Sequence, residues 1–477
     1  MDIFSSSTVL LATVVGFYMA WNIGANDVAN AIGTSVGSGA LKLKRAVILA
    51  AIFEFIGAYF FGADVAETMG QGIIDINFFA DAPYRLALGM VGALLATGLW
   101  LQIASFFGWP VSTTHSIVGA IAGFGFYSYG AECLHWETLR RIALSWVISP
   151  IIGGVFSYAL FAWLRRAIFF QGRPLAAIVR WAPLIIAVFS SVMALLAFLN
   201  LLGGGSSRLY FKELTLLVFS WGFFIYCSTQ LIIPRLWKTE GLEDETLDEQ
   251  AEMASQKIQE AIASLKQIYG HVPELVKNQL KGRISELETM LHQIPLKSCA
   301  LNQSQIQRVE GFFAWFQCAS ACFMALSHGA NDVSNAVGPL TVTLQIMATG
   351  LLPEHAQVPP AILALGGVGI VVGLATWGWR VVETVGRKIT QLTPSRGFCA
   401  EFGCASTVLV CSELGLPIST THVLVGSILG VGLARGLSAL NLSTLKDIMF
   451  SWLITLPIGA FLSMFVSMIL ERLFLHS

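Results

Sequence analysis

One heptapeptide occurs twice in this chain, each time inside an apolar stretch long enough to span a bilayer. Residues 24–30 read Gly-Ala-Asn-Asp-Val-Ala-Asn, and residues 329–335 repeat them with serine in place of the second alanine. A carboxylate and two amides are costly in hydrocarbon unless they pair with other groups or bind a ligand. Because this cost recurs at two corresponding places, the sequence indicates one binding site built from two halves.

The bulk composition is typical of a polytopic membrane protein. Hydrophobic residues make up 55% of the 477 residues, charged residues make up 12%, and the mean hydropathy is +0.70. A formal net charge of −1 without a basic stripe argues against nucleic acid as a partner. The 8 cysteines are scattered and mostly lie in apolar segments, so we expect neither a disulfide framework nor a metal or organic cofactor.

Apolar segments of about 20 residues, the length that crosses a ~30 Å hydrocarbon core, alternate with short polar stretches. We count twelve, near 8–31, 45–63, 84–107, 111–129, 139–164, 181–202, 211–236, 311–340, 360–382, 398–413, 416–435 and 446–470. The segments that open at Val111 and Leu416 are rich in glycine and hydroxyl side chains, so either could be a re-entrant hairpin. The predicted fold is an all-α polytopic membrane protein with about 12 transmembrane helices.

Lysine and arginine residues in the short loops predict the orientation of the chain. They follow the first, fifth, seventh and ninth segments, at Lys42, Lys44, Arg45, Arg165, Arg166, Arg173, Arg180, Arg235, Lys238, Arg387, Lys388 and Arg396. All of them lie on the cytoplasmic side if both termini are outside. The first heptapeptide then lies on an inward-running helix and the second on an outward-running helix. We therefore predict two inverted repeats in a multi-pass protein of the plasma (inner) membrane.

A second repeated motif supports the duplication. Residues 110–115 read Pro-Val-Ser-Thr-Thr-His and residues 417–422 read Pro-Ile-Ser-Thr-Thr-His, while Ser145-Trp146 and Ser451-Trp452 form a weaker echo. Heptapeptide and hexapeptide recur in the same order, with offsets of 305 and 307 residues. The predicted organisation is a first membrane repeat over 1–165, connecting transmembrane helices over 166–237, a charged insert over 238–310 and a second membrane repeat over 311–477.

The stretch from Lys238 to Glu310 differs in composition from the rest, with 12 acidic and 8 basic residues. Apolar residues recur there at helical spacing on both sides of Gly270 and Pro273, which predicts a cytoplasmic helical hairpin. We favour a solvated insert that packs between the halves. A regulatory or partner-binding role is the alternative.

The heptapeptide offers oxygen ligands on one helical face, because its polar residues are spaced by three and four positions. One carboxylate with amide carbonyls suits Na⁺, or a proton carried by the aspartate, and residue type does not separate the two. Hydrogen bonding between helices is the structural alternative. The candidate cation ligands are Asn26, Asp27, Asn30, Asn331, Asp332 and Asn335.

Glycines next to the heptapeptides predict broken helices. Gly24 and Gly33 would let the first helix unwind and expose backbone groups, as in transporters that hold ions at the membrane midplane. In the second copy Gly338-Pro339 is a stronger helix breaker.

The hexapeptide offers hydroxyl groups at the start of a helix that follows a proline. First-turn amides have no partner within the helix and carry the positive end of its dipole, so with the hydroxyls they form an anion cradle. Two opposed cradles could enclose a tetrahedral oxyanion, and N-capping is the structural alternative. The candidate anion ligands are Ser112, Thr113, Thr114, Ser419, Thr420 and Thr421, with His115 and His422 as possible accessory residues.

These two motifs resemble the signatures of the inorganic phosphate transporter family. The heptapeptide in both halves is the hallmark of that family, and the hexapeptides match it as well; the insert matches only in its position. The resemblance implies secondary transport of inorganic phosphate driven by Na⁺ or H⁺, inverted repeats, and often a homodimer. It places cations at Asp27, Asn30, Asp332 and Asn335 and phosphate at the cradle hydroxyls. Some relatives are similar to sulfate permeases, so sulfate or another oxyanion is the alternative substrate.

The expected mechanism is symport by alternating access. Phosphate binds between the cradles, and cations held at Asp27 and Asp332 neutralise it, because a bare anion is too costly at the midplane. We expect no enzymatic activity, since Ser112 or Ser419 with a nearby histidine lacks an orienting acid. A membrane sensor that acts through residues 238–310 is a further alternative.

Overall fold

The computed structural model is predominantly helical in the part of the chain that it describes. This part comprises residues 2–203, 211–236, 242–270, 272–293, 298–353, 358–378, 381–382, 389–437 and 440–475. Three basic residues used to predict the orientation, Lys238, Arg387 and Lys388, lie outside the described residues. The chain forms two compact units, one of Met1–Leu164 with Glu310–Ser477 and one of Arg165–Val309.

The described residues contain sixteen α-helices. In chain order they are α1 (Asp2–Gly37), α2 (Leu43–Phe61), α3 (Ala63–Gln71), α4 (Pro83–Phe107), α5 (Thr113–Tyr129), α6 (Trp136–Leu164), α7 (Pro174–Gly203), α8 (Phe211–Leu236), α9 (Leu242–Tyr269), α10 (Glu274–Gln293), α11 (Ser298–Asp332), α12 (Ser334–Thr349), α13 (Pro360–Thr376), α14 (Pro394–Glu413), α15 (Thr420–Arg435) and α16 (Leu442–Phe474).

Several of these helices have the length and composition to cross a membrane. Among the described residues, 7 helical stretches are long and apolar enough, and α2 with α3, bent by 67°, makes an eighth. The remaining predicted segments correspond to α5, α13, α14 and α15, which are 16 to 20 residues long. The all-α multi-pass class is confirmed, whereas the count of twelve spans and the inverted topology stay predictions.

Glycines allow close helix contacts in the first unit, and one such contact occurs in each half. Glycines four residues apart on α5 lie against the backbone of α16, and glycines four residues apart on α15 lie against that of α6. The contacts are Gly119 with Leu456, Gly123 with Ala460, Gly426 with Pro150 and Gly430 with Gly154. Small residues let these backbones touch, so both cradle helices are fixed by direct backbone packing.

Replacing Gly430 by alanine is expected to destabilise the protein by about 1–3 kcal/mol, because the added methyl has no space. A Cβ atom there would lie 2.0 Å from the Gly154 carbonyl oxygen. Gly311→Ala is the matched control, since a Cβ on Gly311 meets no atom of the described part of the chain within 4 Å. Thermal unfolding of the detergent-purified variants should show a lower melting temperature for Gly430→Ala alone, and equal melting temperatures would contradict this packing.

Helix continuity differs from the sequence-based expectation in both heptapeptides. α1 runs unbroken through the first copy, because Gly24 serves close packing: its Cβ would lie 1.9 Å from the Ile370 carbonyl oxygen. In the second copy α11 and α12 meet at Val333, whose own backbone is helical at φ −57° and ψ −32°, so the chain continues through this heptapeptide as one helical stretch. The predicted break at Gly338-Pro339 is wrong, since both residues lie inside α12 and Gly338 packs against the Ala66 carbonyl of α3.

The second unit contains two pairs of helices. α7 and α8 pack side by side, and Trp221 Nε1 donates a hydrogen bond to Ser190 Oγ at 2.7 Å. α9 and α10 form the predicted helical hairpin, with the break between Tyr269 and Glu274. Lys266 Nζ lies 2.8 Å from Glu288 Oε1 across this hairpin.

Candidate ion and anion site

The two cradle helices begin in the same way. Ser112 and Ser419 are N-cap residues with extended backbone, and their hydroxyls accept hydrogen bonds from the amides of His115 at 3.1 Å and His422 at 3.3 Å. The capping interaction considered as the alternative is therefore present, but it occupies only the serine of each hexapeptide. The threonines of both motifs are left for other contacts.

These threonines contact the asparagines of the opposite half. Asn30 Nδ2 donates to Thr421 Oγ1 at 2.9 Å, and Asn335 Nδ2 donates to Thr114 Oγ1 at 3.2 Å. The preceding threonine of each cradle accepts a longer bond of 3.3 Å, Thr420 from Asn30 and Thr113 from Asn335. Each heptapeptide is thus bound to the cradle of the other half, and the contacts are reciprocal.

The two cradles also bind each other. Thr114 Oγ1 donates to the Ile418 carbonyl at 2.9 Å, and Thr421 Oγ1 donates to the Val111 carbonyl at 3.4 Å. All of these side chains are buried. The helix N-termini that were predicted separately as anion cradles therefore meet at one place in the protein.

Both aspartates of the heptapeptides lie beside this junction and are buried, with exposures of 1% for Asp27 and 0% for Asp332. Thr420 Oγ1 donates to Asp332 Oδ2 at 2.8 Å, and Thr421 Oγ1 shares its one proton between Asp27 Oδ1 and the Val111 carbonyl, both at 3.4 Å. The carboxylates and the anion cradles thus form one continuous polar cluster.

A histidine that the sequence analysis missed lies between the aspartates. His328 Nε2 is 2.9 Å from Asp332 Oδ2 and 4.0 Å from Asp27 Oδ2, and Nδ1 is 3.1 Å from Glu54 Oε1. His328 directly precedes the second heptapeptide, where the first copy has Ile23. Glu54 carried a usable signal, since a carboxylate within an apolar stretch marks a functional position just as the heptapeptide does.

The polar cluster has the chemistry of a cation site. Ligand atoms of Asp27, His328 and Asp332 all lie within 4.8 Å of one another. Several buried side-chain oxygens of this cluster make no hydrogen bond to any described residue, among them Asp27 Oδ2, Asn26 Oδ1, Asn335 Oδ1 and Glu54 Oε2. Buried polar atoms are normally paired, and carboxylate and amide oxygens are acceptors, so a cation or a proton donor would satisfy them.

Asn26 and Asn331, the heptapeptide asparagines that do not contact the cradle threonines, bind the chain segments at the cradles. Asn26 Nδ2 donates to Ser105 Oγ at 3.0 Å and to the Trp109 carbonyl at 3.1 Å. Asn331 Nδ2 donates to the Ile418 carbonyl at 3.1 Å, and its Oδ1 accepts from Ser412 Oγ at 3.2 Å. Hydrogen bonding between helices therefore accounts for the amide nitrogens, and it leaves the oxygens of Asn26 and Asn335 unexplained.

The cradle histidines lie beside this cluster and make aromatic contacts. The rings of His115 and His422 are 4.4 Å apart, and each lies against a tryptophan, Trp146 at 3.7 Å and Trp452 at 3.6 Å. Among the described residues, neither imidazole hydrogen-bonds to a cradle hydroxyl. The serine hydroxyls of the two hexapeptides instead accept hydrogen bonds from backbone amides of their own helices.

A second buried carboxylate, also missed from the sequence, lies elsewhere in the first unit. Glu401 of α14 accepts hydrogen bonds from Thr34, from Ser35 at 2.5 Å and from Ser320 at 2.5 Å, and it is 0% exposed. Nearby, Ser38 Oγ donates to Gln317 Oε1 at 2.7 Å. Glu401 sits in the sequence Ala-Glu-Phe-Gly, whose apolar surroundings carry the same signal as Glu54.

Fold and site together define a class: an α-helical membrane transport protein whose buried polar site is shared by two related halves. The sequence profile of the phosphate transporter family matches residues 23–463. The chain belongs to this family, which confirms the assignment made from the two motifs.

Individual relatives agree with the family assignment. The chain is 41% identical over 462 residues to inorganic phosphate transporter 2-1, chloroplastic, of Arabidopsis thaliana, covering 96% of this chain and 71% of that protein. Its fold is similar to the solved structure of a protein named the sodium-dependent phosphate transporter, with a TM-score of 0.76 and 33% sequence identity. That likeness covers 98% of this chain and 99% of the solved chain.

Proposed function

We propose that the protein is a symporter that carries inorganic phosphate together with Na⁺ across a membrane by alternating access. The main observation that supports this proposal is the cluster in which the two cradles and the two buried aspartates meet. The sodium dependence in the name of the structural relative supports Na⁺ as the coupling ion. A proton carried by an aspartate is the alternative, and ion substitution separates the two.

The unpaired oxygens support cation binding in this cluster. Asp27 Oδ2 and the amide oxygens of Asn26 and Asn335 are hard acceptors, and oxygen ligands of this kind suit Na⁺. Because the nitrogens of these amides are already bonded to cradle or loop groups, their oxygens are oriented before an ion arrives. We assign the cation sites to Asn26, Asp27, Asn30, Asn331, Asp332 and Asn335.

The cradles support anion binding next to these cations. Helix N-termini favour anions through free amides and the helix dipole, and here two N-termini meet. The ligands assigned to the cluster include no lysine or arginine, so bound cations, beside the neighbouring His328, would supply the positive charge. We assign phosphate to the cradles formed by Ser112, Thr113, Thr114, Ser419, Thr420 and Thr421.

Reciprocal contacts between the halves support alternating access. Asn30 binds the second cradle as Asn335 binds the first, so an exchange of conformation between the halves would preserve the site. Inverted repeats, both termini outside, a cytoplasmic insert and a homodimer belong to the same proposal. Rocking of one substructure against the other would then expose the site to each side in turn.

Uptake of labelled phosphate into proteoliposomes under ion substitution tests the proposed function. An inward Na⁺ gradient should drive concentrative uptake, and replacement of Na⁺ by choline should abolish it even when a pH gradient is imposed. Uptake driven by the pH gradient alone would instead establish proton coupling. Preference for labelled sulfate over phosphate would contradict the substrate, and absence of any saturable uptake would contradict the function.

Replacement of Glu401 by glutamine should reduce Na⁺-driven phosphate uptake by about tenfold or more. The carboxylate is buried, it accepts three hydroxyl hydrogen bonds, and no described basic side chain contacts it, so a second cation is a suitable partner. Loss of the charge should raise the Na⁺ concentration required for half-maximal uptake. Glu137→Gln, at an exposed carboxylate of α6, is the control, and an unchanged Na⁺ dependence in Glu401→Gln would refute this role.

A further inference from the structure

Two tryptophans occupy equivalent positions behind the anion cradles. Trp146 of α6 and Trp452 of α16 each follow a serine whose hydroxyl donates at 2.7 Å to the carbonyl three residues earlier. Each indole lies against a cradle histidine, Trp146 on His115 and Trp452 on His422. Sequence, local bonding and ring contact therefore place the two tryptophans in corresponding roles.

Their hydrogen bonding is nevertheless different. Trp146 Nε1 donates to the carbonyl of Pro417, the first residue of the second hexapeptide, at 3.2 Å. Trp452 Nε1 is buried and has no hydrogen-bond partner among the described residues. The acceptor that corresponds to Pro417 is the carbonyl of Pro110, which begins the first hexapeptide. The ring planes differ too, at 43° for His115 with Trp146 and 26° for His422 with Trp452.

A buried N–H group without a partner is unfavourable, because folding removes its hydrogen bond to water and no bond within the protein replaces it. If the two halves exchange conformations during transport, every contact made by one half is made by the other in the opposite state. In the opposite state Trp452 Nε1 would then donate to the Pro110 carbonyl, and the hydrogen bond from Trp146 to Pro417 would be broken.

We propose that Trp146 and Trp452 are positioning residues that bind the two cradle prolines alternately, one in each facing state of the transporter. The inference rests on the proposed function, because it requires two states that exchange. It adds a polar contact that distinguishes those states and that lies outside the cation and phosphate ligands.

The contacts of Trp146 explain how this bond acts on the binding site. Its ring packs on His115 of the first cradle while its N–H holds Pro417 of the second, so one side chain joins both. Pro417 precedes Ile418, whose carbonyl accepts the hydrogen bond from Thr114. Movement of the Pro417 carbonyl therefore shifts the junction between the cradles, and Trp452 with Pro110 would act on Val111 in the same way.

The experiment compares Trp146→Phe with Trp452→Phe, which remove the N–H and keep an aromatic ring. The phosphate concentration that gives half-maximal uptake (half-saturation) is measured from each face of the membrane, in right-side-out and inverted vesicles at saturating Na⁺. A shift of population toward one state improves apparent affinity on that face and weakens it on the other. We expect the ratio of outer to inner half-saturation to change by about 2- to 10-fold, in opposite directions for the two variants.

Trp221→Phe is the control, because Trp221 Nε1 bonds to Ser190 in the other unit of the protein. If a phenylalanine variant fails to fold, 3-benzothienylalanine at the same position removes only the N–H. Equal weakening on both faces, a shift in the same direction, or an unchanged ratio for both variants would overturn the inference and leave phosphate transport intact. Absence of saturable phosphate uptake in the wild type would overturn the proposed function, and the inference with it.

Discussion

Asp27→Asn and Asp332→Asn should each lower the initial rate of Na⁺-driven phosphate uptake by at least about 100-fold, because loss of a buried charged partner costs several kcal/mol. Both carboxylates are buried beside the junction of the cradles. Without them the cation loses its charged ligand, and phosphate enters a region of low dielectric without neutralisation. Asparagine keeps the shape and most hydrogen bonds, so the variants should still fold.

The two variants should differ in their secondary effects. Asp332 is bonded to Thr420 at 2.8 Å and lies 2.9 Å from His328, whereas Asp27 has a longer contact of 3.4 Å and an unpaired Oδ2. Asp27→Asn should therefore act mainly on Na⁺ affinity. Asp332→Asn should also lower the melting temperature, because it disturbs a connected polar network.

Proteoliposome uptake across a Na⁺ titration, with melting temperatures of the same preparations, measures both effects. Asp447→Asn is the matched control, since Asp447 is an exposed carboxylate near the start of α16. Wild-type uptake in both Asp27→Asn and Asp332→Asn would show that the cluster does not hold the coupling ion.

Much of the architecture was predictable, because polar residues within a membrane-spanning segment cost free energy and therefore indicate where a site lies. The helix positions followed from apolar length, and the hairpin of α9 and α10 followed from Gly270 and Pro273. The family followed from the two repeated motifs and is confirmed. Site roles stay predictions, although the structure brings the candidate ligands of both motifs into one cluster.

What the sequence did not indicate depends on tertiary contacts between distant segments. A glycine at position 24 could let the helix unwind or let another helix pack closely against it. Only the position of Ile370 shows that Gly24 allows close helix packing. His328 is a lone histidine until Glu54 and Asp332 are placed on either side of it. The repeat accounts for the aspartates and threonines, but it gives no signal for a residue that occurs in one half only.

The surroundings of the two aspartates are not equivalent. The second half has a histidine between two acids where the first half has Ile23, so the groups around the two aspartates differ. His328 Nε2 lies 2.9 Å from Asp332 Oδ2 and 4.0 Å from Asp27 Oδ2, and the latter oxygen makes no hydrogen bond to a described residue.

The double variant Thr114→Val with Thr421→Val is expected to lower kcat/KM for phosphate by roughly 30-fold or more. Each threonine donates the hydrogen bond that joins one cradle to the carbonyl of the other, at 2.9 Å and 3.4 Å. Valine preserves the shape but removes both hydroxyls. The Val111 carbonyl then loses the Thr421 donor, at a cost of about 1–3 kcal/mol, whereas the Ile418 carbonyl keeps the hydrogen bond from Asn331 Nδ2 at 3.1 Å. The cradles should then separate and lose the geometry that encloses the anion.

Uptake kinetics of the single and double variants form a double-mutant cycle, and contacts within one junction should make the losses non-additive. Thr→Ser at either position retains the hydroxyl and should restore most of the activity. Thr341→Val is the matched control, because among the described residues its buried hydroxyl bonds only within its own helix, to the Val337 carbonyl at 2.7 Å. Additive losses without rescue by serine would show that the two threonines act separately, and the anion would then have to be held without a joined pair of cradles.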